Sequence, residues 1–279
     1  MEPRPRSFYV LTAFFILFII FLYGPTLTIG ILSFQGPGGG LTFPMRGVSM
    51  HWFRDLFEQQ AVGDIWGSFR RSFVLGLMVM VTTVIVSVMG GLAVRKRFKG
   101  SSILFYLIIT SLVIPSILVS LGVGLIWSQS GLPVHWASSG FGAQLTWTLP
   151  FGLLIMFAVF NRFDRSYEEA ARDLGASPWQ VVRHVVLPII APSLLGVALF
   201  GFTLSYEEFA RTLQTSGSYI TLPLEIFGMT TNVTTPVLFA LGTLTTVFSL
   251  LIILLFLLVV WLLNRRRARQ GSDAGKGMI

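Results

Sequence analysis

Uncharged apolar runs dominate this chain, and they recur at a length that suits a lipid bilayer. A helix crosses the hydrocarbon core with about 20 apolar residues. Six stretches meet that length, at about 8–33, 70–94, 102–127, 143–161, 191–209 and 236–263. The fifth is closed by Tyr206-Glu207-Glu208. Breakers separate the runs, among them Gly36-Pro37-Gly38-Gly39-Gly40, Gly131-Leu132-Pro133 and Pro188. Gly90-Gly91 and Pro115 fall inside runs. Membrane helices tolerate them because neighbouring helices satisfy the backbone groups they free. The pattern predicts an all-α integral membrane protein, a single domain over 1–279 with six transmembrane helices.

The first run follows Arg4 and Arg6 and extends from Phe8 to about Phe34. A signal peptide has a shorter apolar core and a small-residue cleavage site. This run is span-length and no Ala-x-Ala follows it, so it reads as a retained first helix.

Composition agrees with the pattern. The chain is 53% hydrophobic and 11% charged, with a mean hydropathy of +0.76. A soluble domain carries about 25% charged residues. The net charge of +8 does not point to nucleic acid, because the basic residues cluster in the short segments that flank apolar runs. With the N-terminus in the cytoplasm, 15 of the 20 Lys and Arg lie inside, as the positive-inside rule requires. These are Arg4 and Arg6; Arg95, Lys96, Arg97 and Lys99; Arg162, Arg165, Arg172 and Arg183; and Arg265, Arg266, Arg267, Arg269 and Lys276. Arg46, Arg54, Arg70, Arg71 and Arg211 fall outside. Both termini are then cytoplasmic, and the 34–69 loop, with His51-Trp52-Phe53-Arg54-Asp55-Leu56-Phe57, is an external loop suited to a short surface helix.

Chemistry at a catalytic centre finds little support. There is no cysteine, and His51, His135 and His184 fall in separate loops. No cofactor or metal site, and no catalytic residue, is expected. No phosphate loop of the form Gly-x-x-x-x-Gly-Lys-Ser/Thr occurs. An intramembrane enzyme would need a nucleophile–base pair or a metal cluster within spans, and neither is found.

The segment 162–190 is longer than a simple connection needs. Tyr167 to Leu174 has helix-forming Glu and Ala, and Gly175 suits a left-handed helix end. Ser177-Pro178-Trp179-Gln180 is a helix start with a capping box. The second helix is expected to run to about Val186 and to stop at Pro188. Ala170 and Ala171 offer a small face, with Glu169, Arg172 and Asp173 around it. Such a hairpin suits either docking of another protein or packing on its own bundle or on lipid.

Glu169-Ala170-Ala171, then three residues and Gly175, then nine residues and Val185-Val186-Leu187-Pro188 resemble the E-A-A loop of ABC-importer permeases. Val185 stands where that family usually has Ile. Phe202-Thr203-Leu204-Ser205 with its acidic pair, Ser218-Tyr219, Leu222-Pro223-Leu224, Phe43-Pro44, Gly47 and Trp52-Phe53 resemble the polyamine-type (spermidine/putrescine) branch. The resemblance implies the type I importer permease fold in a bacterial inner membrane. It implies a pore half that pairs with a second permease subunit. Two cytoplasmic ABC ATPases would dock at Glu169, Ala170, Ala171, Gly175, Leu187 and Pro188, and an external solute-binding protein would deliver substrate. The expected function is import of a small amine-containing or cationic solute.

Four residues are candidates for the substrate pathway: Pro115, Ser116, Glu207 and Glu208. Acids in or near spans are costly and therefore functional candidates. Counted from Pro192 at 1.5 Å per residue, Glu207 lies roughly 22 Å in, and Pro115-Ser116 reaches a similar depth on the third span. Pro115 would free a carbonyl near Ser111. Otherwise the acids simply mark the solvated end of the fifth span. Polyamine permeases tend to carry an acid just after this proline, and Ser116 stands there instead. An amino-acid-like or opine-like solute is the alternative.

Overall fold

The structure is a computed structural model and describes residues 5–58, 63–95, 99–232 and 235–274; for Arg6, Asn232 and 266–274 it describes the backbone alone. Arg4, Lys96, Arg97 and Lys276 lie outside the described residues, as do the side chains of Arg6, Arg266, Arg267 and Arg269.

The described helices are α1 (Arg6–Leu32), α2 (His51–Glu58), α3 (Ile65–Val94), α4 (Ser101–Val113), α5 (Ser116–Gln129), α6 (Phe141–Asn161), α7 (Ser166–Asp173), α8 (Pro178–Val181), α9 (Leu187–Tyr206), α10 (Leu222–Asn232) and α11 (Val237–Ala274). Among the described residues, five helical segments are long and apolar enough to cross a membrane: Ser7–Leu32, Ile65–Val94, Trp136–Asn161, Pro178–Tyr206 and Val237–Arg265. The pair α4 and α5 meets the same criteria together but is bent by 102°.

The span expected over about 102–127, with Pro115 inside it, is thus two helices that meet at that proline. Ile114, ahead of the proline, is extended at ψ 127°, and Pro115 itself has ψ 128°. A proline disfavours helical backbone in the residue before it and has no N–H to continue the ladder. The second helix of the hairpin also differs from expectation. It does not stop at Pro188, because α8, a π-helical turn over Val182–Val186 and α9 follow one another without a break. Pro188 sits in the first turn of α9, and the wider turn before it accommodates the missing donor.

By internal contacts the chain divides into two units. The first comprises Met1–Asp64 and Ile226–Leu250. Its α1 leaves its apolar side chains uncovered, the condition of a helix in lipid. The loop after α1 is tied by Gln35, whose side-chain amide donates to the carbonyls of Gly40 (3.2 Å) and Thr42 (3.4 Å) and whose oxygen accepts from the Arg46 amide (2.7 Å). Helix α2 buries Trp52 and Leu56.

The second unit, Ile65–Glu225 with Leu251–Ile279, is built on mutual packing of α3, α6 and α9. Lipid supplies no hydrophobic drive between helices, so close packing of small residues and buried hydrogen bonds must hold them. Both are present. A Cβ on Gly76 would lie 3.1 Å from the Phe202 ring, and one on Gly201 would lie 3.2 Å from the Met80 backbone. Thr83 donates to Thr148 across the α3–α6 interface (2.9 Å), and Ser205 donates to the buried Gln144 side chain. Met156, Phe160, Val181, Val186, Ile190 and Val197 form a buried apolar cluster at the hairpin end of this unit.

Candidate functional site

Local chemistry shapes the hairpin between α6 and α9. The Asp164 carboxylate accepts the Ser166 amide (2.9 Å) as α7 begins. That bond holds the Asp164 carboxyl below the usual carboxylate range. At the other end of α7 the chain turns at Gly175, with φ +85°. The Gly175 amide donates to the Arg172 carbonyl (2.8 Å) and the Ala176 amide to that of Ala171 (3.0 Å), closing the helix through a left-handed residue. Ser177 and Gln180 then cap α8 reciprocally (2.8 and 3.4 Å).

The two faces of the hairpin differ. Ala171, Ala176 and Leu187 pack on the apolar cluster of the bundle. Glu169, Ala170, Gly175 and Pro188 are exposed. Tyr167, Leu174 and Trp179 are exposed as well, and Leu174 is 89% accessible. These large apolar side chains stand among exposed Glu169, Arg172 and Asp173, charges that do not belong in lipid. Of the sequence candidates, Ala171 and Leu187 therefore support the hairpin from beneath, while Glu169 and Ala170 belong to its outer face. Leu174, Tyr167 and Trp179 were not singled out in the sequence. The available signal was a large apolar residue directly ahead of the turn glycine.

Arg95, at the end of α3, anchors this hairpin. It is ion-paired with Glu168 of α7 and lies 5.0 Å from the ring centroids of both Phe160 and Phe163. Its carbonyl accepts from Arg165 (2.8 Å). Arg172 approaches the other Glu168 oxygen at 3.6 Å.

A second constellation surrounds Arg211, in the segment after α9. Its side chain is fully buried. Nη1 donates to the Ser116 hydroxyl (2.8 Å), Nε donates to the Thr146 hydroxyl (3.1 Å), and the guanidinium lies 4.6 Å from the Trp147 ring centroid. The Arg211 amide donates to Glu208 (2.9 Å), and its carbonyl accepts from Ser120 (2.9 Å) and Thr215 (2.6 Å). Arg211 thus ties the post-α9 segment to α5 and α6. Ser116 and Glu208 are brought together on it. Pro115 is exposed at the bend and Glu207 is exposed at the end of α9. Arg211 is not an outer-surface charge, as its loop position suggested.

The histidines have local roles. His135 Nδ1 accepts the Ala137 amide (3.2 Å), His184 lies 3.2 Å from the Gln180 carbonyl, and His51 lies 3.4 Å from Asp55.

The second unit thus combines a sharply bent pair of apolar helices, a polar cluster at the bend and a braced hairpin. Residues 83–269, more than half of the chain, match the family described as the inner membrane component of binding-protein-dependent transport systems, and the chain belongs to that family. It is thus a multi-pass inner-membrane transport subunit and not itself an enzyme. The chain is 28% identical over 262 residues to the spermidine/putrescine transport system permease protein PotC of Haemophilus influenzae, covering 90% of this chain and 96% of the relative. To the putrescine transport system permease protein PotI of Escherichia coli K12 it is 28% identical over 232 residues, 80% of this chain and 81% of the relative. A bacterial ABC transporter that imports the acidic polysaccharide alginate has a similar fold, with a TM-score of 0.65 at 19% identity, covering 94% of this chain and 99% of that one. The MetNI methionine ABC transporter gives 0.55 at 19% identity, covering 77% and 99%. The fold is that of ABC-importer permeases.

Proposed function

We propose that this chain forms half of the translocation pathway of an ATP-driven importer for a small amine-bearing solute, with the 162–190 hairpin seating a cytoplasmic ATPase. The other half is a second, homologous permease subunit. Two ATPase subunits sit below, and an external solute-binding protein delivers the solute. Both termini are cytoplasmic. The observation that carries the docking assignment is Leu174, almost wholly exposed on a rigid hairpin and ringed by charges. An exposed apolar side chain of this kind marks a protein contact. The amine in the solute is supported by the polyamine relatives and by Glu207 and Glu208 at the end of α9.

Leu174→Asp tests the reading. The chain should insert normally, while the ATPase no longer co-purifies with it and uptake stops. Retention of the ATPase with full coupled uptake would reject the docking assignment. Reporter fusions at the C-terminus and near Gly38 test the orientation, and an external C-terminus would overturn it.

A further inference from the structure

We infer that the start of α5, backed by Arg211, binds a carboxylate on the translocation path, so that the solute carries an acid group beside its amine. This rests on the permease reading above and narrows its substrate class.

The bend at Pro115 exposes a helix N-terminus inside a span. Helix α5 has 14 residues, and its N-cap, Pro115, supplies no side-chain acceptor. Leu118 and Val119 donate back to the Pro115 carbonyl, but among the described residues the amides of Ser116 and Ile117 donate to nothing. Unpaired amides and the helix dipole together favour an anion there. Pro115, Ile117 and Leu118 are exposed, so this end opens outward from the chain.

Arg211 adds a full positive charge directly behind it. Its guanidinium remains protonated in any protein setting. Nη1 donates to the Ser116 oxygen, so the Ser116 hydroxyl proton is turned away from the arginine and toward the open side. Nη2 is buried with no hydrogen-bond partner among the described residues, and no carboxylate there is ion-paired with the guanidinium. The nearby acid, Glu208, accepts from the Arg211 amide and also acts through space on the guanidinium, offsetting part of its charge. A buried cation with an unused donor beside an uncapped helix end is an anion-attracting arrangement. It would repel the ammonium of a diamine and complement the carboxylate of an amino-acid-like molecule.

The chain has no cysteine, which allows a direct measurement. Ile117→Cys is placed in the complete importer in membrane vesicles. It is then modified with a sulfonate-bearing or a trimethylammonium-bearing methanethiosulfonate reagent, and the mass of this chain reports the two rates. Relative to the same two reagents acting on free 2-mercaptoethanol, the sulfonate reagent should be favoured on the order of tenfold. Adding Arg211→Gln should abolish the preference, Arg211→Lys should keep most of it, and Ser116→Asp should reverse it. If Arg211→Gln fails to assemble, Ser116→Ala, which removes the relaying hydroxyl, must lower the preference. A preference for the cationic reagent, a ratio no higher than that of free thiol, a ratio indifferent to these changes, or no modification by either reagent overturns the site. ATPase retention in Leu174→Asp is read in the same vesicles. Loss of the ATPase there without a sulfonate preference at Ile117→Cys rejects the carboxylate site alone; the reverse result rejects the docking assignment alone.

Discussion

Arg95 at the end of α3 is ion-paired with Glu168 in the hairpin, 73 positions further along the chain. Both side chains are largely buried, at 11% and 12% exposure, and the Arg95 guanidinium also covers Phe160 and Phe163. A force applied to the hairpin therefore reaches α3 through a charge pair and reaches α9 through a continuous helix. Such a pair lies between an exposed bridge and a fully desolvated one, which places its coupling at about 2 kcal/mol. A double-mutant cycle with Arg95→Ala and Glu168→Gln, read by unfolding of the purified chain in detergent, should return a coupling of that size. Additive single effects would show that Arg95 and Glu168 do not brace the hairpin together.

The neighbouring alanines should separate by mechanism. Ala171 packs on the bundle cluster, whereas Ala170 is exposed. Ala171→Trp should lower the thermal stability of the isolated chain, by roughly 1–3 kcal/mol, through overpacking. Ala170→Trp should leave that stability within about 0.5 kcal/mol and lose the ATPase from the complex. Equal loss of stability in both variants would contradict the two-faced hairpin.

Gly175 is constrained by backbone conformation alone. Its φ is +85° and a Cβ there would meet nothing within 4 Å. Gly175→Ala should cost about 1 kcal/mol, Gly175→Val more, and Gly175→Asn least, following the ease with which each residue enters left-handed backbone. Circular-dichroism melts of the three variants would show the order, and a Val variant as stable as Asn would exclude strain as the cause.

Gly152 is constrained by space. A Cβ there would overlap the Ser87 hydroxyl and lie 2.8 Å from the Thr83 methyl, at the α3–α6 crossing. Gly152→Leu should still insert, because its apolar run is intact, but should force α3 and α6 apart and be degraded or aggregate in detergent. Size-exclusion chromatography checks this. A monodisperse Leu variant with native stability would mean that the crossing is not close-packed.

Only some features of this protein could be read without coordinates. Apolar runs of span length have one stable solution in lipid, hydrogen-bonded helix, so the all-α membrane architecture follows from pattern and length. The hairpin turn is equally local. Gly175 and the Ser177–Gln180 capping box act within a few residues of themselves, and their chemistry appears in the sequence in order. Pro115 announced a disturbance, but its size, a 102° bend, depends on what the two half-helices pack against. Pro188 sits in an unbroken rod because a π-helical turn precedes it, and no local residue preference announces that turn. Tertiary structure alone distinguished Ala171 from Ala170, since adjacent residues on a short helix carry no label for which side meets the bundle. It alone assigned Arg95 and Arg211. A basic residue near a span end reads the same in sequence whether it reaches toward water or lies buried on an aromatic ring. Arg211 is joined to Ser116 and Thr146 across separations of 95 and 65 positions, and contacts over such distances exist only once the helices have packed.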